Sequence, residues 1–217
     1  MIIKSFVVGP IGVNCYVVSD ADSGQGIIID PGGNAEEILS YVRDAKIAVK
    51  AIINTHGHGD HIGANDAVRE ATGAPLLMHA ADQYMLTDAR ANLSAFMGYQ
   101  ALSAPPDRLL AEGDEVTFPG GSFRVVHTPG HSPGGICLIG EGAVFSGDTL
   151  FAESIGRCDF PGGSEAELVR SVRDKLLPLP DETKVYPGHG PETTIGWERR
   201  YNPYLQGGSG RQGIFPL

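Results

Sequence analysis

A chain of 217 residues, 41% hydrophobic and 19% charged, has the composition of an ordinary globular protein with an ample core. Its net charge of −10 argues against nucleic acid as the main partner, because phosphate binding needs clustered Lys and Arg. No apolar run approaches the ~20 residues of a membrane span, Met1-Ile2-Ile3-Lys4 lacks the marks of a signal peptide, and Cys15, Cys137 and Cys158 are too scattered for a disulfide framework, so a reducing cytoplasm is expected.

The 30 glycines and 15 prolines punctuate short apolar runs, the pattern of strands between tight turns. Strands are expected over 2–8, 15–18 and 27–29. Asn34 is placed to cap a helix over 35–45, in which Ile38, Leu39 and Val42 share a face. A strand over 50–54 precedes a helix over 62–72, and a strand over 75–78 precedes a helix over 80–89. Residues 90–107, with Pro105 and Pro106, have weak periodicity and suggest a surface loop over the site. Strands over 115–118, 123–126, 135–139 and 144–146 form an all-β block. Ser164 then caps a helix over 165–177, followed by a strand over 184–186 and a short helix over 194–201. Helices early and late around this block imply two β-rich halves with helices outside.

The densest chemistry lies in Thr55-His56-Gly57-His58-Gly59-Asp60-His61, directly after the apolar run Ala51-Ile52-Ile53. Imidazole and carboxylate suit Zn, Fe or Mn. In an extended segment His56 and His58 point to one side and can share an ion. Asp60 and His61, at the turn into the next helix, can face a second. His131 would complete a three-His set, and His189 an Asp60, His61, His189 set. Asp148, at the end of Ala143-Val144-Phe145-Ser146-Gly147, could bridge the two. Asp60 and Asp148 are therefore the candidate catalytic carboxylates. Two divalent ions are expected, with Zn first and Fe or Mn as alternatives. A water shared between such ions has a pKa of about 7 and would attack a carbonyl carbon as hydroxide. A structural zinc site fits less well, since those favour Cys and close at four ligands. His79 and His127 end apolar runs without ligand spacing and are expected to pack or to support the ligands.

Gly130-His131-Ser132-Pro133-Gly134 matches the G-x-S-x-G elbow of serine hydrolases. That elbow needs the backbone N–H after the serine, and Pro133 has none. Cys158 lacks the partner pattern of a thiol nucleophile.

Together the motifs resemble the metallo-β-lactamase superfamily: Ile29-Asp30-Pro31-Gly32, His56 through Gly63, Thr128-Pro129-Gly130-His131-Ser132-Pro133-Gly134, Ser146-Gly147-Asp148 and Pro187-Gly188-His189-Gly190, in order over almost the whole chain. The resemblance implies an α/β fold, a four-layer αββα sandwich with metals at one edge of the sheets, and the ligand set just given. Within the superfamily, Gly156-Arg157-Cys158-Asp159-Phe160-Pro161-Gly162-Gly163 and Tyr201-Asn202-Pro203-Tyr204-Leu205 are similar to short bacterial glyoxalase II-like hydrolases. This implies hydrolysis of a small-molecule thioester such as an S-(2-hydroxyacyl)glutathione, with Arg157 toward the substrate carboxylate. Residues 1–217 are expected to form one domain. The segment after His189 offers Arg199, Arg200 and Arg211 but too little chain for the C-terminal helical domain of the long form, which leaves the thiol carrier open. A monomer or homodimer is expected.

The family offers rivals. A persulfide dioxygenase would hold a single iron with His56, His131 and Asp148, and it shares the Arg157, Asp159, Phe160 run. Zinc β-lactamases of the common type place Cys where Asp148 stands. Ribonuclease activity is disfavoured by charge. A non-catalytic module would be expected to have lost ligands, and all seven are present.

Overall fold

The computed structural model describes residues 1–206, so Arg211 lies outside them. Fourteen strands and five α-helices fill this span. The first sheet contains β1 (Ile2–Val8), β2 (Val13–Ser19), β3 (Gln25–Ile29), β4 (Ala48–Ile53), β5 (Leu76–His79) and β6 (Arg108–Leu110), in that order. Its first three strands pair antiparallel and its last four parallel. The second sheet has the order β14 (Thr193–Thr194), β13 (Lys184–Pro187), β10 (Ala143–Gly147), β9 (Ile136–Gly140), β8 (Gly121–His127) and β7 (Glu115–Phe118). Its pairs are antiparallel except β10 with β13. A small ribbon of β11 (Leu150–Phe151) and β12 (Ser154–Ile155) follows Asp148.

Central strands are buried on both faces, so they appear as unbroken apolar runs. Their side chains still alternate. Ile27, Ile29 and Ile53 meet Phe123, Val125, Leu138 and Phe145 between the sheets. Ile28 and Ile52 point the other way, to Ile38 and Val68 of α1 (Ala35–Asp44) and α3 (Asn65–Thr72). On the far side, Cys137, Val144 and Val185 pack on Leu168 of α4 (Glu165–Ser171) and Ile195 of α5 (Ile195–Tyr201). The layers therefore run helix, sheet, sheet, helix, as the resemblance implied.

Several local readings change. Asn34 occupies the N-cap position of α1 but makes no side-chain cap: its backbone is left-handed (φ 49°), its side-chain oxygen accepts from Gly9 N at 3.2 Å, and its amide donates to Glu37 at 3.0 Å. Ser164 does cap α4, accepting from Glu167 N. The helix expected over 62–72 is broken into α2 (Gly59–Ile62) and α3, and it starts early enough to carry Asp60 and His61. Residues Ala80–Thr87 form a 3₁₀ helix, and the helix after Ser164 loosens into a π-turn over Val172–Leu176. The 90–107 segment holds a 3₁₀ turn, Ser94–Met97, and is pinned to α2, where Gly59 N donates to Asn92 O at 2.8 Å. Among the described residues, no helix is long and apolar enough to cross a membrane.

Candidate metal centre

Parallel strands of an α/β sheet deliver functional loops at their carboxyl ends. Here the ends of β4, β8, β10 and β13 carry His56 and His58, His131, Asp148, and His189 to one edge of the sandwich. All seven residues selected from the sequence meet there. Three overlapping sets have donor atoms within 4.8 Å of one another: His56, His58, His131; His56, His61, Asp148; and Asp60, His61, His189.

The first set is tight. His131 Nε2 lies 2.9 Å from His58 Nδ1 and 3.3 Å from His56 Nε2. In the third, Asp60 Oδ2 lies 3.1 Å from His189 Nε2 and 3.4 Å from His61 Nε2. Asp148 spans the sets: Oδ1 is 3.4 Å from His61 Nε2, while Oδ2 is 3.5 Å from His131 Nε2 and 3.8 Å from His189 Nε2. No Cβ fits at Gly188, because it would run into Asp148 Oδ1 and the His61 ring.

Outer partners fix the rings. His61 Nδ1 lies 3.0 Å from Asp30 Oδ2, and Asp30 also accepts from Thr55 N at 2.7 Å and Thr55 Oγ1 at 2.6 Å. His131 Nδ1 lies 2.7 Å from the Arg157 carbonyl. Such partners orient a ligating imidazole and set its tautomer.

Electrostatics divide the histidines. Burial, and then the neighbouring His131, pushes the His58 pKa down to about 3. Burial, reinforced by His61, His58 and His131, holds His56 well below its ordinary value. Both are therefore neutral, the form that ligates. Burial also works to lower His61 and His189, but carboxylates outweigh it: Asp60, Asp148 and Asp30 hold His61 well above its ordinary value, and Asp148 and Asp60 raise His189. Burial works to raise the Asp60 and Asp148 carboxyls, yet His61 and His189 outweigh it and keep both below the usual carboxylate range.

The donor set fits metal. His61 Nε2 and Asp148 Oδ1 are buried polar atoms without a hydrogen-bond partner, and both face the cluster. Leaving such atoms bare is costly, and an ion placed between the sets would satisfy them. The seven side chains form a His/Asp metal-binding cluster.

The other candidates fall into place around it. The Arg157 side chain is exposed, forks onto Asp159 at 2.9 and 2.8 Å, and lies 4.4 Å over the Phe160 ring. Phe160 stands edge-on to His58, with ring centroids 5.7 Å apart. The Ser132 hydroxyl is buried and donates to Asp82 at 2.6 Å, so it is no free nucleophile. Burial, and then Glu165 and Asp159, pushes the Cys158 thiol up to about 12. His79 stacks on His127 at 4.1 Å, and His127 Nε2 lies 2.9 Å from the Pro133 carbonyl, a supporting role. Sequence reasoning met Asp30 only within the Ile29-Asp30-Pro31-Gly32 motif and assigned it no role, and it passed over Asp82, since a lone acid inside a helical pattern carries no signal of its own.

Known proteins agree with this geometry. The solved structure of BLEG-1, described as a B3 metallo-beta-lactamase, is 42% identical and superposes with a TM-score of 0.91, covering 95% of this chain and 100% of that one. The di-iron-bound form of TTHA1623 is 39% identical with a TM-score of 0.81, covering 93% and 100%. A hydroxyacylglutathione hydrolase, GloC of Haemophilus influenzae, is 37% identical over 88% of this chain and 92% of its own. The family model described as Metallo-beta-lactamase superfamily matches residues 8–189, which contain every residue of the cluster. With its four layers and its His/Asp edge, the chain belongs to the metallo-beta-lactamase superfamily.

Proposed function

We propose that this metal-dependent hydrolase uses two divalent ions to cleave a small-molecule thioester, an S-(2-hydroxyacyl)glutathione or a relative of one. The observation that carries the two-ion reading is Asp148, whose carboxylate lies 3.5 Å from His131 of one ligand set and 3.4 and 3.8 Å from His61 and His189 of the other. His56, His58 and His131 would hold one ion and Asp60, His61 and His189 the other, with Asp148 across both. Zn is the first expectation, and Fe or Mn suits the same donors. The likeness to di-iron TTHA1623 supports a pair of ions. When bound, the ions supply Lewis acidity toward a carbonyl oxygen and acidify water to a pKa of about 7.

The chain's own groups do the rest. Neutral His56 and His58 are ready to ligate without first losing a proton. Asp60 and Asp148 stay ionised, so they balance charge and orient water rather than donate protons. Phe160, edge-on to His58 and His131, gives that side an apolar wall. Arg157 would meet a substrate carboxylate by exchanging it for Asp159.

The likeness to GloC supports the thioester reading. The likeness to BLEG-1 favours a second reading, hydrolysis of a β-lactam amide. Assaying S-lactoylglutathione and a cephalosporin side by side, with and without chelator, separates them. Chelator-sensitive thioester hydrolysis that exceeds lactam hydrolysis is expected. The reverse preference would replace the thioester reading with the lactam one.

A further inference from the structure

Asp82 is fully buried in the 3₁₀ helix Ala80–Thr87, outside the ligand cluster. Its carboxylate accepts three hydrogen bonds. Oδ2 takes Gly57 N at 3.1 Å and Ser132 Oγ at 2.6 Å, and Oδ1 takes Gly134 N at 2.6 Å. Gly57 sits between His56 and His58 on the loop leaving the first sheet. Ser132 and Gly134 lie just after His131 in the turn that joins β8 to β9 of the second sheet. One carboxylate thus ties together the two loops that bring three imidazoles to one point.

The packing is as close as the hydrogen bonding. A Cβ at Gly134 would fall 2.7 Å from Asp82 N, and one at Gly57 would fall 2.8 Å from Met85 Cβ and 3.0 Å from the Asp82 carbonyl. Both loops are pressed against the 3₁₀ helix with no room for a side chain. His79, which accepts from Ala81 N at the start of this helix, stacks on His127, and His127 holds the Pro133 carbonyl from the other flank.

We propose that Asp82 is a positioning residue for the His56, His58, His131 metal site, fixing the separation of His131 from the other two rings. The Asp60, His61, His189 set is held by different means, the α2 turn, Asp30 and the loop after β13, while the Asp82 carboxylate's hydrogen bonds go to Gly57, Ser132 and Gly134. The inference explains why Ser132 stands in a motif that performs no serine chemistry. Its hydroxyl donates to the clamp. All three contacts are donors, so Asp82→Asn keeps the volume and turns an amide N–H₂ toward at least one of them. Outer partners of ligands typically change metal affinity 10–100-fold.

The proposal rests on the two-ion reading, and the test separates the two. Metal-free protein is titrated with Co²⁺, following its visible absorption, for wild type, Asp82→Asn and Ser132→Ala, with cooperative unfolding checked for each. Wild type should take two equivalents; a single equivalent would defeat the two-ion reading and leave the role of Asp82 at the remaining ion measurable. Folded Asp82→Asn should bind one equivalent as wild type does and the other about 10–100-fold more weakly. Unchanged affinity for both equivalents, or equal loss of both, overturns the positioning role. If Asp82→Asn does not fold, Ser132→Ala decides: a smaller weakening of one equivalent supports the clamp, and unchanged or uniformly weakened binding overturns it.

Discussion

Asp30 Oδ2, just past the end of β3, lies 3.0 Å from His61 Nδ1 in α2, and both side chains are buried. The same carboxylate accepts from Thr55 N and Thr55 Oγ1, so it ties the His61 ring to the loop carrying His56. Asp30 has a left-handed backbone (φ 50°), which a residue without local compensation rarely adopts. Asp30→Asn should therefore weaken the ion on the His61 side about 10–100-fold. Metal content after dialysis reads this out, and unchanged content would contradict it.

The bridging position of Asp148 makes it the residue on which both sets depend. Asp148→Ala or His56→Ala should abolish turnover and lower metal content. Asp60→Ala should empty the Asp60, His61, His189 side alone. Retention of both ions at full occupancy in Asp60→Ala would show that the ligands are divided differently.

The raised and lowered histidines predict an order of metal loss on acidification. His61 and His189 have pKa values above the ordinary one, so each must release a proton to bind metal as soon as the pH is below that raised value. His56 and His58 are depressed, His58 to about 3, and release none until far lower pH. As pH falls through these raised values, which lie above the ordinary ~6.5, the ion at Asp60, His61 and His189 should leave first. Metal content after dialysis across this range, compared between wild type and Asp60→Ala, checks the order. First loss from the three-His side would contradict it.

Among the described residues, the Tyr99 hydroxyl is the third buried side-chain polar atom without a hydrogen-bond partner, and burial, then Asp60, pushes its pKa up to about 12. Unlike His61 Nε2 and Asp148 Oδ1, it belongs to no ligand set. Tyr99→Phe should raise stability by about 1 kcal/mol, since it removes an unsatisfied group. A urea midpoint shifted downward would show that the hydroxyl is satisfied in solution.

The cluster was legible because ligands announce themselves by type and spacing. His56, His58, Asp60 and His61 lie within six residues, His131 and His189 each sit in a Pro-Gly-rich turn, and Asp148 ends an apolar run. The central strands were legible for the same reason that they are buried on both faces. What was lost is short or nonlocal. β6, β11, β12 and β14 have two or three residues each, too few for any period. Helical reading placed the start at Ile62, the first apolar marker, while Gly59, Asp60 and His61 already wind the α2 turn. Asn34 has the right residue type for a cap, yet its side chain reaches Gly9, 25 residues away. The roles of Asp30 and Asp82 depend on loops 25 to 52 residues distant, and no local pattern reports those.

If two ions act together at this edge on a thioester, metal analysis of the purified protein alongside S-lactoylglutathione hydrolysis reads out both. Two metals per chain with rapid hydrolysis that a chelator abolishes is the predicted result. One iron per chain with negligible hydrolysis and oxygen uptake on glutathione persulfide would contradict it and favour the dioxygenase chemistry instead.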